Sequence, residues 1–289
     1  MVYKKRVVKI ILVLVLLSLF AGCIQQPGGN KSHIAPVQEE LRIATTTSTC
    51  DTGLMDVLNK KFEETNNVKI IKICRGTSEA IARSERGEAD VVIAHSVPAE
   101  LKAVANGTFI NRRYIMYNYF AVIGPESDPA GIKSASNASD AFRRIATKQS
   151  TFISWGDDSG THQLERSIWE AANVTPAGTW YQSSGKGMRE TIIEASTKEG
   201  YTLSERGTYL AMKDEIKLKV LFEKDQTFLF NPYHVMAVNP AKFQAVKYGL
   251  AKKYIDYLIS PEAQDIIRDY DKDKYGEALF VPAANAAEN

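Results

Sequence analysis

Cysteine and histidine are both sparse in this 289-residue chain: three Cys (Cys23, Cys50, Cys74) and four His. Neither falls at a spacing that would build a zinc site or a redox motif. No Gly-x-Ser-x-Gly elbow occurs, which argues against a hydrolase of that type. Gly185-Lys186-Gly187-Met188 lacks the full Gly-x4-Gly-Lys-Ser/Thr pattern, so nucleotide binding on a phosphate loop is not expected. There is no basic block and no internal repeat of fixed period. A near-neutral chain without a basic block is a poor partner for nucleic acid.

Long apolar runs are missing too. The uncharged stretch Ile10–Gly22 follows Lys4, Lys5 and Arg6 and has thirteen residues. That is short for a bilayer span and right for the apolar region of a secretory signal. It ends in Leu19-Phe20-Ala21-Gly22-Cys23, which resembles the processing site of an exported lipoprotein, with Cys23 as the lipidated residue. The expectation is a signal peptide over 1–22, a flexible tether over 23–40 and a folded part anchored at the outer face of the cell membrane. Without residues 1–22, which hold four basic residues and no acid, 32 basic face 34 acidic residues, a formal charge of −2. Any bound anion must then be met by local dipoles and at most one cation, not by a general positive field.

What the chain does have is hydroxyls. Thr45-Thr46-Thr47-Ser48-Thr49 places five together between an apolar run (Leu41, Ile43, Ala44) and a helical segment from about Gly53. A helix N-cap needs one such residue. Five at a strand-to-helix turn, beside free helix N–H groups, suggest an anion site.

From residue 41 apolar runs alternate with helical segments. Leu54, Val57, Leu58 and Phe62 form one helical face. Val68–Ile73 reads as the second strand, Ala80–Arg86 as a short helix and Val91–Ala94 as a buried third strand. Such alternation predicts right-handed crossovers and a parallel sheet, with ligands beyond the C-terminal strand ends. Thr46–Thr49, Arg75–Ser78 and His95-Ser96 converge there. Cys50 and Cys74 fall near the same edge, where a disulfide and two buried thiols are both open readings. The long strand-like segments Tyr114–Gly124 and Thr227–Val238 bracket a second alternation, with helices near 138–148, from about Gly160 and over Gly185–Ser196. This predicts one lobe inserted into another: lobe 1 over 41–118 and 232–289, lobe 2 over 119–231.

In lobe 2, Ser159-Gly160-Thr161 opens a helix and predicts a second anion-facing turn, with Asp157 and Asp158 capping it or orienting the loop. Ser159 with His162 also has the parts of a hydrolase, although a serine and its base are seldom three residues apart. His95, His162, His234 and Asp157 together would make a weak metal set.

These motifs resemble those of the tungstate-binding proteins of ABC importers, the TupA type. Thr45-Thr46-Thr47-Ser48-Thr49-x-Asp51-Thr52-Gly53-Leu54, Gly76-Thr77, Asp90-Val91, His95, Met116-Tyr117-Asn118, Gly124-Pro125 and Asp128-Pro129-Ala130 keep the family's order. Gly156-Asp157-Asp158-Ser159-Gly160-Thr161-His162, Trp180-Tyr181, Gly187-Met188, Tyr201-Thr202-Leu203, Arg206-Gly207-Thr208-Tyr209 and Asn231-Pro232-Tyr233 continue it. The resemblance implies an α/β, two-lobed type II periplasmic-binding-protein fold, with the cleft between lobes joined by two crossing strands. It implies a monomeric, non-enzymatic protein that captures tungstate or molybdate, uses no cofactor and no metal cation, and delivers to a permease with a cytoplasmic ATPase. Oxyanion contacts are carried over to Thr46, Thr47, Ser48, Gly76, Thr77, Ser159, Gly160 and Thr161. The family's arginine before Gly-Asp-Asp is here Trp155, and Arg75 is the expected replacement for its charge. Another oxyanion such as phosphate or sulfate is the alternative, followed by an exported Ser/His hydrolase and a sensory lipoprotein.

Overall fold

The computed structural model describes residues 38–223, 225–284 and 286. The expected signal segment, Cys23 and the tether up to residue 37 lie outside the described residues. Among the described residues no helix is long and apolar enough to cross a membrane.

The first part of the chain alternates strand and helix: β1 (Glu39–Thr46), α1 (Thr47–Asp51), α2 (Leu54–Asn66), β2 (Val68–Arg75), α3 (Thr77–Glu85), β3 (Val91–Ala94) and α4 (Val97–Ala105). β1 lies between β2 and β3 and is parallel to both. Their C-terminal ends at Thr46, Arg75 and Ala94 therefore share one edge. β1 starts two residues before the expected start of lobe 1, because Glu39 and Glu40, although exposed, continue the ladder opposite Val68 and Lys69. The hydroxyl run does not wait for a helix at Gly53. Thr47–Asp51 is already helical, and Gly53, at φ +81°, separates it from α2. Only glycine takes that backbone conformation without strain. α3 likewise begins at Thr77, three residues earlier than expected, which puts Gly76 and Thr77 at a helix N-terminus.

β4 (Phe109–Gly124) then runs for 16 residues. α5 (Ala138–Lys148), β5 (Phe152–Ser154), α6 (Gly160–Ala171), β6 (Tyr181–Ser183), α7 (Met188–Thr197), β7 (Thr202–Glu205), α8 (Arg206–Met212) and β8 (Lys219–Phe222) follow. The chain returns through β9 (Phe230–Val238) and closes with α9 (Tyr248–Leu258), α10 (Pro261–Asp269), α11 (Lys272–Tyr275) and β10 (Val281–Pro282). The main sheet has the order β10-β4-β9-β3-β1-β2, and β7 and β8 pair with the far end of β4. β4 pairs antiparallel with β9 over Phe109–Tyr119 and with β7 and β8 over Phe120–Gly124. β4 and β9 thus carry the chain between two packed regions.

Each region has its own core. Leu54, Met55, Leu58 and Phe62 of α2 pack with Val91, Ile93, Val235 and with Tyr254, Ile255 and Leu258 of α9. Val57, expected on this face, is 43% exposed, and Met55 takes its place. In the other region Phe142, Phe152, Ile168, Trp169, Tyr201 and Leu203 form one cluster, and Ile153, Trp155, Met188 and Ile192 another.

One covalent tie holds the edge on which the strands end, and one ionic tie holds the opposite end, where β3 begins. Cys50 and Cys74 form a disulfide with a Cα–Cα distance of 6.3 Å, joining α1 to β2. Asp90, fully buried before β3, accepts from the Arg42 side chain at 2.9 and 3.1 Å and from the backbone N–H groups of Arg42 and Lys247 at 2.8 and 3.0 Å. Burial pushes the Asp90 carboxyl up, but these hydrogen bonds outweigh it and hold the group below its usual range.

Replacing both Cys50 and Cys74 with Ser is expected to destabilise the protein by about 3 kcal/mol, from the entropy of an unlinked loop of that length. A scanning calorimeter should read this as a Tm lower by roughly 6–12 °C. Asp90→Asn is expected to cost about 2–3 kcal/mol, less than a fully buried pair because the Arg42 side chain is 32% exposed. The carboxylate's stabilisation is complete above about pH 4 and is lost as pH falls through its depressed folded value. Denaturant melts at falling pH should therefore show the gap between wild type and Asp90→Asn narrowing.

Candidate anion-binding site

A cavity of about 120 Å³ lies where the strand ends of the first region meet the helix starts of the second. Thr46, Thr47, Ser48, Gly76, Thr77 and His95 line it from one side. Trp155, Asp157, Ser159, Gly160, Thr161, Gly187, Met188 and Glu205 line it from the other. Its lining includes neither lysine nor arginine.

The five-hydroxyl run divides its labour. Thr45 and Thr49, both fully buried, satisfy each other at 2.8 Å, and Thr49 also donates to the Thr46 carbonyl at 2.9 Å. They hold the turn, while Thr46, Thr47 and Ser48 face the cavity. Ser48 Oγ lies 3.3 Å from the Tyr233 hydroxyl, which donates to Glu205 Oε2 at 2.6 Å.

Opposite them, Ser159 caps α6 by accepting from the His162 N–H at 3.3 Å. Asp157 Oδ1 accepts from the Ser159 N–H at 3.1 Å, so this acid orients the loop. The His162 ring accepts from the Asp158 N–H at 3.0 Å. Ser159 and His162 are thus joined through a backbone N–H, which is a cap and not a nucleophile with its base. Gly187, which precedes α7, brings a further helix N-terminus to the cavity. Helix N-termini and hydroxyls together give a donor-rich lining.

The two turns touch. A Cβ on Gly160 would lie 3.4 Å from Thr77 Oγ1 and 3.9 Å from His95 Cε1, and one on Gly76 would lie 3.9 Å from Ser159 Cβ. Gln163 Nε2 on α6 donates to Ser78 Oγ on α3 at 3.1 Å. Thr77 Oγ1 is buried at this junction and has no hydrogen-bond partner. A buried hydroxyl left unsatisfied costs about 1–3 kcal/mol, which an anion in the cavity would recover.

Eight of the nine residues expected to contact the anion line the cavity. Arg75 does not. Its side chain is exposed at the end of β2, and Nη1 donates to the Cys74 carbonyl at 2.7 Å. Trp155 is 2% exposed, donates Nε1–H to the Leu203 carbonyl at 3.0 Å and packs with Ile153, Met188 and Ile192. Trp155 lines the cavity and brings no charge.

Sequence reasoning did not single out Glu205 as part of the site. A glutamate between a strand and a helix carries no local signal, and its role comes from residues distant in the chain. His234, grouped with a metal set by sequence, is buried 2.9 Å from Glu100. Among the described residues no three His, Cys, Asp or Glu side chains gather to hold a metal ion.

A family model for a PBP superfamily domain matches residues 30–262. The tungstate-binding protein TupA of Peptoclostridium acidaminophilum is 38% identical over 285 residues, 97% of this chain and 99% of its own. Among solved structures, the tungstate ABC transporter protein of Geobacter sulfurreducens is 49% identical, with a TM-score of 0.73 over 80% of this chain and 99% of its own. TupA of Desulfovibrio alaskensis G20 is 37% identical, with a TM-score of 0.74 over 86% and 100%. The parallel strand edge, the paired helix starts and these matches agree: the chain belongs to the periplasmic-binding-protein superfamily and, within it, to the family of the TupA tungstate-binding proteins.

Proposed function

We propose that this protein captures a tetrahedral metal oxyanion, tungstate or molybdate, outside the cytoplasm and delivers it to an ABC permease driven by a cytoplasmic ATPase. It acts as a membrane-anchored monomer, lipidated at Cys23, and makes or breaks no bond in its ligand. The observation that carries this reading is Thr77 Oγ1, buried without a partner where three helix N-termini face one cavity. The cavity, at about 120 Å³, is far below the roughly 300–1,000 Å³ of pockets for drug-sized ligands and suits a small ion.

The chemistry follows from the donors. A dehydrated dianion must recover its hydration through many short hydrogen bonds, each worth about 1.5–3 kcal/mol net when one partner is charged. Hydroxyl and backbone N–H groups already held by the fold reorganise little as they supply these bonds. Donors from both sides of the cleft favour the closed arrangement, which a permease can recognise. A second reading, monohydrogen phosphate, is favoured by one observation: Asp157 and Glu205 line the same cavity, and a carboxylate can accept the proton of a protonated oxyanion.

A thermal-shift panel with tungstate, molybdate, phosphate and sulfate tests both. Tungstate and molybdate are expected to raise Tm, the stabilisation reaching about 4 kcal/mol at a thousandfold excess over Kd. A shift with phosphate alone would establish the second reading, and a flat response to all four would end both. Thr77→Val should weaken tungstate binding about tenfold while leaving the fold as stable or more so, since it removes an unsatisfied buried hydroxyl. Arg75→Ala should change affinity less than threefold, because an exposed cation outside the cavity is screened by water.

A further inference from the structure

One lining side chain can change from hydrogen-bond acceptor to donor, and the surrounding bonds determine which of its atoms does so. Glu205 Oε2 accepts from the Tyr233 hydroxyl at 2.6 Å and from Asn118 Nδ2 at 3.2 Å. A carboxylate only accepts, so Asn118 must turn its amide nitrogen toward Glu205 and its Oδ1 toward Asn231. Asn231 answers with Nδ2 at 2.6 Å, which leaves its own Oδ1 against His95 Nδ1 at 2.9 Å. An amide oxygen also only accepts, so the proton of neutral His95 sits on Nδ1. Nε2 then carries the lone pair. It lies 3.9 Å from Glu205 Oε1, and the adjacent Cε1 faces Gly160 at the start of α6.

We propose that His95 Nε2 is the titratable donor to the bound oxyanion, and that capture of the ligand is coupled to uptake of one proton there. The proposal rests on the oxyanion reading above and adds to it the source of the site's positive charge. Neutral His95 would aim a lone pair from Nε2 at the anion and leave the buried Glu205 carboxylate facing it unscreened. Protonated His95 donates Nε2–H and places a cation between the two. The groups facing the ring are Glu205 from β7, the stacked Tyr233 ring from β9 at 4.8 Å, Phe120 from β4 at 6.4 Å and the N-terminus of α6. Asp157, in the loop before α6, lines the same cavity. An anion seated between the start of α6 and the His95 ring attracts a proton to Nε2. Ligand and proton therefore bind with positive coupling. His95 thus brings, from the other side of the cleft, the charge that Trp155 does not provide.

Calorimetric titration of the protein with sodium tungstate tests this, run at about pH 7 and about pH 8.5, where tungstate stays a dianion. Each titration is repeated in buffers of different ionisation enthalpy to count protons. The expected result is uptake of up to one proton per tungstate and an affinity that falls by up to about tenfold per pH unit as His95 titrates. His95→Gln keeps an N–H donor without a titrating site. It should bind about tenfold more weakly at pH 7, with no proton uptake and an affinity constant across this pH range. Tight binding by wild type without proton uptake would overturn the proposal and leave the oxyanion reading standing. Equal uptake by His95→Gln would overturn it too. No binding heat with tungstate, molybdate or phosphate would overturn both.

Discussion

A dianion deprived of water must be stabilised by what the protein already holds in place, and this cleft holds almost no charge. Its lining contains no lysine or arginine, two carboxylates and one histidine. In the site proposed above, most of the positive potential then comes from partial charges: hydroxyls at the end of β1 and N–H groups at the starts of α3, α6 and α7. This requirement accounts for several otherwise odd features. It explains why three hydroxyls of one turn face the cavity, why Thr77 keeps a buried hydroxyl unpaired, and why helices from both regions start at one place. It also makes the Glu205 carboxylate comprehensible, since a network of Tyr233, Asn118, Asn231 and His95 shares its charge.

The fold delivers these dipoles by topology. Three parallel strands bring Thr46, Gly76 and His95 to one edge; the Cys50–Cys74 disulfide ties that edge, and the Arg42–Asp90 pair joins β1 to the start of β3 at the other end. β4 and β9 run between the two packed regions, so the second set of helix starts faces the first across a narrow gap. The elements that cross also carry Asn118, Asn231 and Tyr233. The strands that connect the regions thus also carry the side chains that position Glu205 and His95.

Much of this was legible in the residues. The Thr45–Thr49 run, the Ser159-Gly160-Thr161 turn and the strand–helix alternation each announce themselves locally, because strand ends and helix caps leave short-range signatures. The outcome for Arg75 shows the limit. Its neighbours Gly76 and Thr77 reach the cavity, but the strand's end points its side chain outward, and nothing local in the sequence reports that direction. Val57 fails for a similar reason: Leu54, Leu58 and Phe62 set the helix face, but only packing decides which flank of it is buried, and that flank carries Met55. The Glu205 network was invisible because it joins residues 95, 118, 205, 231 and 233, and only the folded chain brings them together.

The central claim, that a single small cavity built from helix starts and hydroxyls holds the oxyanion, is tested most directly by locating the heavy atom itself. Crystals of the protein with tungstate, measured at the tungsten absorption edge, should show one strong anomalous peak. The account places it between Thr77 and the Ser159-Gly160-Thr161 turn, with oxyanion oxygens within about 3 Å of Thr77 Oγ1 and the α6 N–H groups. A peak beside Arg75 or elsewhere on the surface, with this cavity empty, would contradict it.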